Sequence, residues 1–139
     1  MALRGALAGA VAALVWKQCD PLLKRAFGTP YADAELAGAF FPRGRLGSAA
    51  GLAAHVAAGA GFGHLFERCG GRGGRQGVVA ALVENTVLWP AMLVVDRVHP
   101  ARRDGTWPPL FANPRVFGQA TVGHAIFGAV LGALVRRGR

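Results

Sequence analysis

Glu84 and Asn85 stand in the middle of an apolar stretch, residues 76–95, which reads QGVVAALVENTVLWPAMLVV. As a helix, a stretch of about 20 residues is about 30 Å long, the thickness of a bilayer's hydrocarbon core. A carboxylate at its centre costs roughly 2.5–3.5 kcal/mol on insertion scales if it stays charged and faces lipid. Glu84 must therefore face protein, water or a partner, or carry a proton. Two histidines fall at a matching depth in other apolar runs. Counted from the end that carries the long loops, His55 lies about 13 Å deep, His124 about 12 Å and Glu84 about 16 Å. Intramembrane ionisable groups usually face a bundle interior, so three in one layer are expected to meet.

Helical phase points the same way. Gly77, Ala80, Ala81, Glu84, Leu88 and Ala91 share one stripe; Thr121, His124, Gly128 and Gly132 share another; Gly51, His55, Ala58, Gly59 and Phe62 a third. Each ionisable group thus sits on a face of small residues, the kind that packs inwards. The expected polar cluster is Glu84, Asn85, His55, His124 and Thr121. His64, nine positions after His55, points about the opposite way and is a secondary candidate. His99, before Pro100 in a loop, is expected to be solvated.

Three chemistries remain open for the cluster. It can be interhelical glue, since polar contacts within membranes average about 0.6 kcal/mol each. It can be proton-linked, since imidazole titrates near neutrality and intramembrane carboxylates mark proton paths. It can hold a haem between two axial histidines, with rotational placement as the condition; no cofactor or metal is expected. Hydrolytic chemistry has no motif: G-x-S-x-G and H-E-x-x-H are absent, Ser48 is the lone serine, and GGRGGR lacks the ending of a phosphate-binding loop. No enzyme is expected.

The elements that must position these residues are four helices, at residues 2–20, 46–66, 76–95 and 116–135. The start, MALR followed by a 12-residue apolar run, resembles a signal peptide, but no A-x-A cleavage site follows and the run is read as a first membrane helix. GxxxG spacings recur at Gly5/Gly9, Gly47/Gly51, Gly59/Gly63 and Gly128/Gly132, which favours close helix contact. Within residues 21–45, TPYADAELAGAFF predicts a short interfacial helix with Thr29 as N-cap and Pro30 at its first position. Residues 67–75 form a tight basic turn, and Pro90 should kink the third helix and free a carbonyl near Thr86. Residues 96–115 read as a proline-rich loop anchored at headgroup level by Trp107 and Phe111. A single transmembrane domain, residues 1–139, of all-α class is expected.

The composition agrees with a membrane origin. Of 139 residues, 53% are hydrophobic, and the charges crowd between the apolar runs instead of spreading along helix faces. The net charge of +9 flanks those runs without a basic stripe, which favours anionic lipid headgroups over nucleic acid. Arg outnumbers Lys by 14 to 2, a hint of a GC-rich genome. Charge density in the short segments, with Arg136, Arg137 and Arg139 at the end, favours cytoplasmic termini. Cys19 and Cys69 fall at opposite faces and are expected to be unpaired.

Several pieces resemble the YagU-like bacterial inner-membrane proteins, a family without a settled molecular function. They are AGAVAALVWKQCDPLLKR with Lys17 and Asp20, the nine-residue spacing of His55 and His64, Trp89-Pro90, and VGHA around His124 before a terminal Arg-Arg. This chain is shorter in the loops, and it has Glu84-Asn85 where the family's pattern places a histidine. The resemblance implies a multi-pass protein of a bacterial plasma membrane linked to stress or acid survival, and it supplies no catalytic residues. Three function classes follow: a structural or accessory membrane protein, oligomeric or part of a larger complex through leftover glycine faces; a proton-linked small-solute transporter or channel using Glu84; and a haem protein using His55 and His124.

Overall fold

The computed structural model describes residues 2–42 and 44–136, so Arg43, Arg137 and Arg139 of the charge pattern lie outside the described residues. The elements in chain order are α1 (Ala2–Phe27), α2 (Asp33–Gly38), α3 (Arg45–Arg68), α4 (Gly73–Leu88), a 3-10 turn (Trp89–Ala91), α5 (Met92–Val98), α6 (Pro100–Arg103) and α7 (Pro114–Arg136). The described residues contain no strand, in keeping with the all-α class. Three stretches are long and apolar enough to cross a membrane: Arg45–Arg68, Gly73–Val98 and Pro114–Val135. The expected fourth, α1, has 26 residues but is not among them, because Arg4, Lys17, Asp20, Lys24 and Arg25 dilute its apolar content.

Glycine decides which helices touch. Gly5 and Gly9 of α1 lie directly on Gly63 and Gly59 of α3, which fixes those two helices antiparallel. Gly77 and Gly73 at the start of α4 meet Gly128 and Gly132 of α7 in the same way. Contacts between α1 and α7 join the two pairs, so the lateral order is α3, α1, α7, α4, with α1 and α7 central. Gly47 and Gly51 receive Gly38 and Ala34 of α2. All four GxxxG pairs are therefore used inside the protomer, and none of them is left over for a second copy.

Several expected boundaries move. The first helix continues past Asp20 to Phe27 with Pro21 inside it. Proline removes one backbone donor, while the Asp20 carboxylate, nearly buried, accepts from Lys17 Nζ at 2.8 Å across that same turn. The predicted Thr29 cap does not form. The short helix starts at Asp33 after an extended Ala32, and the Thr29 hydroxyl instead donates to Gln119 Oε1 at 2.5 Å. The short helix runs antiparallel along α3, from Asp33 beside His55 up to Gly38 beside Gly47. His55 is ten positions from the start of α3, so the tip of this segment sits about 15 Å along that helix. Pro90 acts as expected: α4 ends at Leu88 and the 3-10 turn takes its place before α5 resumes.

The proline-rich loop is a built structure with its own core. Tyr31, Trp89, Trp107, Leu110, Val116 and Ala120 pack together at this end, separate from the main core around Ala12, Trp16, Phe127 and Leu131. Trp107 is buried and not a surface anchor, whereas Phe111 stays exposed. His99, expected to be solvated, is fully buried: it stacks on Trp107 with centroids 4.6 Å apart and donates from Nε2 to Leu36 O at 3.0 Å. Its cover comes from Trp107 in the same loop and from Leu36 and Phe40, about sixty residues earlier in the chain. Asp96 holds the loop closed, accepting from Leu110 N at 2.8 Å, Phe111 N at 3.0 Å and Arg102 Nε at 2.8 Å. Hydrogen bonds to a charged acceptor contribute about 1.5–3 kcal/mol each in favourable cases. Asp96→Ala is accordingly expected to destabilise the protein by about 2–3 kcal/mol, measurable as a lower unfolding temperature in detergent. An unchanged melt would show that the packing of Trp107 and Leu110 alone sets this loop.

Candidate functional site

On α1 the inward stripe runs Gly5, Gly9, Ala12, Ala13 and Trp16, all buried, and continues through Asp20 and Leu23. The first members let α3 come close; Trp16, the first bulky one, then fills the widening gap between α3 and α7. Its indole ring lies 5.0 Å from the His55 ring and 4.6 Å from the His124 ring, centroid to centroid. Gly123, just before His124, leaves room for that indole.

Each imidazole faces a carboxylate. His124 Nε2 is 3.1 Å from Glu84 Oε2, and His55 Nδ1 is 3.2 Å from Asp33 Oδ2. Tyr31 donates its hydroxyl to Asp33 Oδ1 at 2.8 Å. The second nitrogen of each ring is also engaged, since His124 Nδ1 donates to Ala120 O at 2.8 Å and His55 Nε2 donates to Ala13 O at 3.1 Å. That detail fixes the proton arithmetic. A carbonyl only accepts, so one ring N–H goes to the backbone, and a hydrogen bond to the carboxylate needs a second proton between ring and oxygen. Each pair then holds one exchangeable proton: either imidazolium and carboxylate, or imidazole and carboxylic acid. Both forms are neutral as a pair, which suits a low-dielectric interior.

Asp33, His55, Glu84, His124 and Trp16 line one cavity of about 70 Å³, floored by Phe62 and Phe127. The His55 and His124 side chains are well covered, at 6% and 13% exposure, while Asp33 and Glu84 are 30% and 36% exposed. The carboxylates thus form the accessible side of each pair.

The expected cluster is therefore brought together only in part. Glu84 and His124 pair directly. His55 belongs to the same cavity but is separated from His124 by Trp16 and takes Asp33 as its partner. Asn85 donates to Thr121 Oγ1 at 3.2 Å, next to the cavity and not in its lining. The inward stripe of α4 is Gly77, Ala81, Asn85 and Trp89; Asn85 is buried, Leu88 is exposed, and Glu84 sits on the flank. The expected stripe through Leu88 and Ala91 was rotated because the glycine contact with α7 and the Trp89 ring, not Glu84, set the helix face. His64 lies further along α3 and is not part of the lining.

The residues do not fit a haem held by two histidines. All four ring nitrogens of His55 and His124 have protein partners, an indole stands between the rings, and about 70 Å³ is a small fraction of a cofactor pocket. No group of three or more metal-capable side chains occurs among the described residues. Cys19 and Cys69 are both free thiols.

Asp33, Tyr31 and Trp16 were not legible as site residues. Asp33 looks like an ordinary first-turn acid. The available signal was the small-residue spacing Ala34/Gly38, which matches Gly47/Gly51 and would have docked this segment on α3. Comparison with protein-family models, with curated proteins and with solved structures finds no match for this chain.

Proposed function

We propose that this chain is a small multi-pass membrane protein that binds and exchanges protons inside the bilayer, and that it is not an enzyme. The observation that carries this reading is the pair of carboxylate–imidazole contacts, Asp33–His55 at 3.2 Å and Glu84–His124 at 3.1 Å, both opening on one cavity. Ionisable groups at membrane depth mark proton and ion pathways.

In this reading α1 is a fourth span. Leu3, Leu7, Val11, Leu14, Val15 and Leu22 form an exposed aliphatic stripe along it. From the first to the last of these the helix rises about 28 Å, close to the hydrocarbon thickness. Lys17 is neutralised by Asp20, and Arg4 sits near the end of the helix, where it can snorkel. Residues 28–41 then form a re-entrant segment between the first two spans; irregular backbone at membrane depth is tolerated where it is buried in protein or lines a cavity. A bacterial plasma membrane with cytoplasmic termini, anionic lipid contact at the basic ends, and the YagU-like resemblance belong to the same proposal.

The test is pH-driven proton uptake into liposomes containing the purified protein and a trapped pH dye. The wild type should exceed protein-free liposomes, and Glu84→Gln and Asp33→Asn should each bring uptake down to the protein-free level while remaining folded in detergent. Wild-type uptake equal to that of empty liposomes would leave the second reading, in which the two pairs are structural glue. That reading is favoured by the neutrality of each pair and by the tight glycine seams that hold α1 and α2 on α3 and α4 on α7.

A further inference from the structure

We propose that residues 28–41 are a gate over the proton site, opened when the Asp33–His55 pair takes up a second proton, and that what passes the gate is water carrying protons and not an organic solute. This rests on the proton-binding reading above.

The path of the chain makes the segment a hinged flap. It leaves α1 at Gly28, whose φ of 63° few other residues adopt, and it rejoins α3 at Gly44, with φ of 101°. Between them the chain descends to Asp33 at the level of His55, and six residues of α2 climb back along α3. On one side of α2 lies an outer groove of about 290 Å³, lined by Lys17, Ala34, Glu35, Ser48 and Trp107 among others. On the other side lies the inner cavity of about 70 Å³. Adjacent residues face different spaces: Trp16 and Asp33 line the inner one, Lys17 and Ala34 the outer one. The first turn of α2 is the wall between them.

At its tip the flap is held to the cavity by Asp33–His55 at 3.2 Å. Its other attachments are the seam of Ala34 and Gly38 on Gly47 and Gly51, the packing of Tyr31 on Trp107, and polar contacts at Thr29, Tyr31, Glu35 and Leu36. Gln119 accepts from the Thr29 hydroxyl and donates to Tyr31 O at 2.7 Å; Lys24 pairs with Glu35 at 2.7 Å; His99 donates to Leu36 O. The groups facing Asp33 are Tyr31 on its own segment, His55 from α3 and, across the cavity, His124 of α7 with Glu84 of α4; on α1 Asp20 is neutralised by Lys17. With one proton the Asp33–His55 pair is neutral and closed. A second proton leaves a carboxylic acid facing an imidazolium. The imidazolium then has no counter-charge, and a lone charge at membrane depth requires water. Lifting the first turn of α2 would add a path to it from the groove, beside the partly exposed Asp33 and Glu84 carboxylates.

Size names the species. A water occupies about 30 Å³ of liquid, so the inner cavity suits about two, whereas pockets for organic ligands start near 300 Å³. Phe62 and Phe127 close its floor with rings 5.5 Å apart.

Amide hydrogen exchange of the full chain in lipid nanodiscs tests the gate. At one fixed pH, Asp33→Asn, which cannot form the ion pair, should raise exchange across residues 29–38 about tenfold and leave the central turns of α4 and α7 unchanged. For the wild type, exchange of the same segment, corrected for intrinsic chemistry, should stay low from about pH 7 to about 5 and rise only as the pH falls from about 5 to about 2.5, where a carboxylate takes up the second proton. The wild-type arm decides the matter if the variant does not fold. An unchanged segment, or a uniform rise in every helix, overturns the gate. Proton uptake in liposomes without any response of this segment also overturns the gate and leaves the proton reading intact. A segment that responds in a protein without uptake supports a pH-operated flap and sinks the transport reading. Co-uptake of radiolabelled methylammonium would overturn the restriction to water and protons.

Discussion

Gly59→Ala and Gly61→Ala, two positions apart on α3, are expected to move stability in opposite directions. Both replace glycine in a helix interior, and both gain up to about 1 kcal/mol of helix propensity. A Cβ at Gly61 meets nothing within 4 Å, so that gain should appear in full. A Cβ at Gly59 would stand 2.7 Å from Ala13 Cβ and 2.8 Å from Gly9 O, and neither can move without moving α1. Overpacking of this kind costs about 1–3 kcal/mol, and it acts here on backbone atoms, so Gly59→Ala should lose about 2 kcal/mol net and Gly59→Val more. The consequence is larger than in a soluble protein. Helices in lipid associate through close van der Waals contact, without a hydrophobic force to hold a loosened pair together. Thermal unfolding in detergent checks this. Equal shifts for the two alanine variants would mean that α1 and α3 do not meet through their glycines.

Trp16→Ala should be the most damaging substitution at the site. Trp16 is 6% exposed and touches His55, His124 and Phe127. Truncating a buried tryptophan costs about 3–5 kcal/mol through the cavity it leaves. It should also merge two proton-holding pairs that the indole keeps apart. In the wild type, the stability effects of Asp33→Asn and Glu84→Gln should add, because they belong to separate pairs. In a Trp16→Phe background, which retains an aromatic filler and most of the packing, they should begin to couple by about 0.5 kcal/mol or more. Strong coupling in the wild type would show that the two pairs already titrate as one unit.

Much of the architecture was written in the order of residues. The apolar runs, the glycine spacings and the kink at Pro90 follow from local chemistry, and they give an all-α chain in which three of the four expected stretches are long and apolar enough to cross a membrane. The layer shared by His55, Glu84 and His124 was also legible, because depth along a helix is a matter of counting. Rotation is harder to read. On α4 the choice between Glu84 and Asn85 as the inward residue differs by one position, about 100° of turn. It was settled by Gly77 meeting Gly128 and by Trp89 entering the upper core, which are contacts with other parts of the chain.

The residues outside regular periodicity were the least legible. His99, Trp107 and Asp33 lie in or beside loops, where no repeat assigns a direction to a side chain. His99 and Trp107 are buried against each other because the loop folds over them. Asp33 reaches His55 because Ala34 and Gly38 are small enough to let α2 lie along α3. The sequence by itself determined the class of fold, three of the four helices expected to suit lipid and the level of the ionisable residues along their own helices, since these depend on composition and spacing along one axis. Only the tertiary structure decided which acid meets which histidine, that Trp16 stands between the two pairs, and that a short segment descends to complete the site. Those outcomes depend on distances between residues far apart in the chain, and small-residue contacts between helices set them.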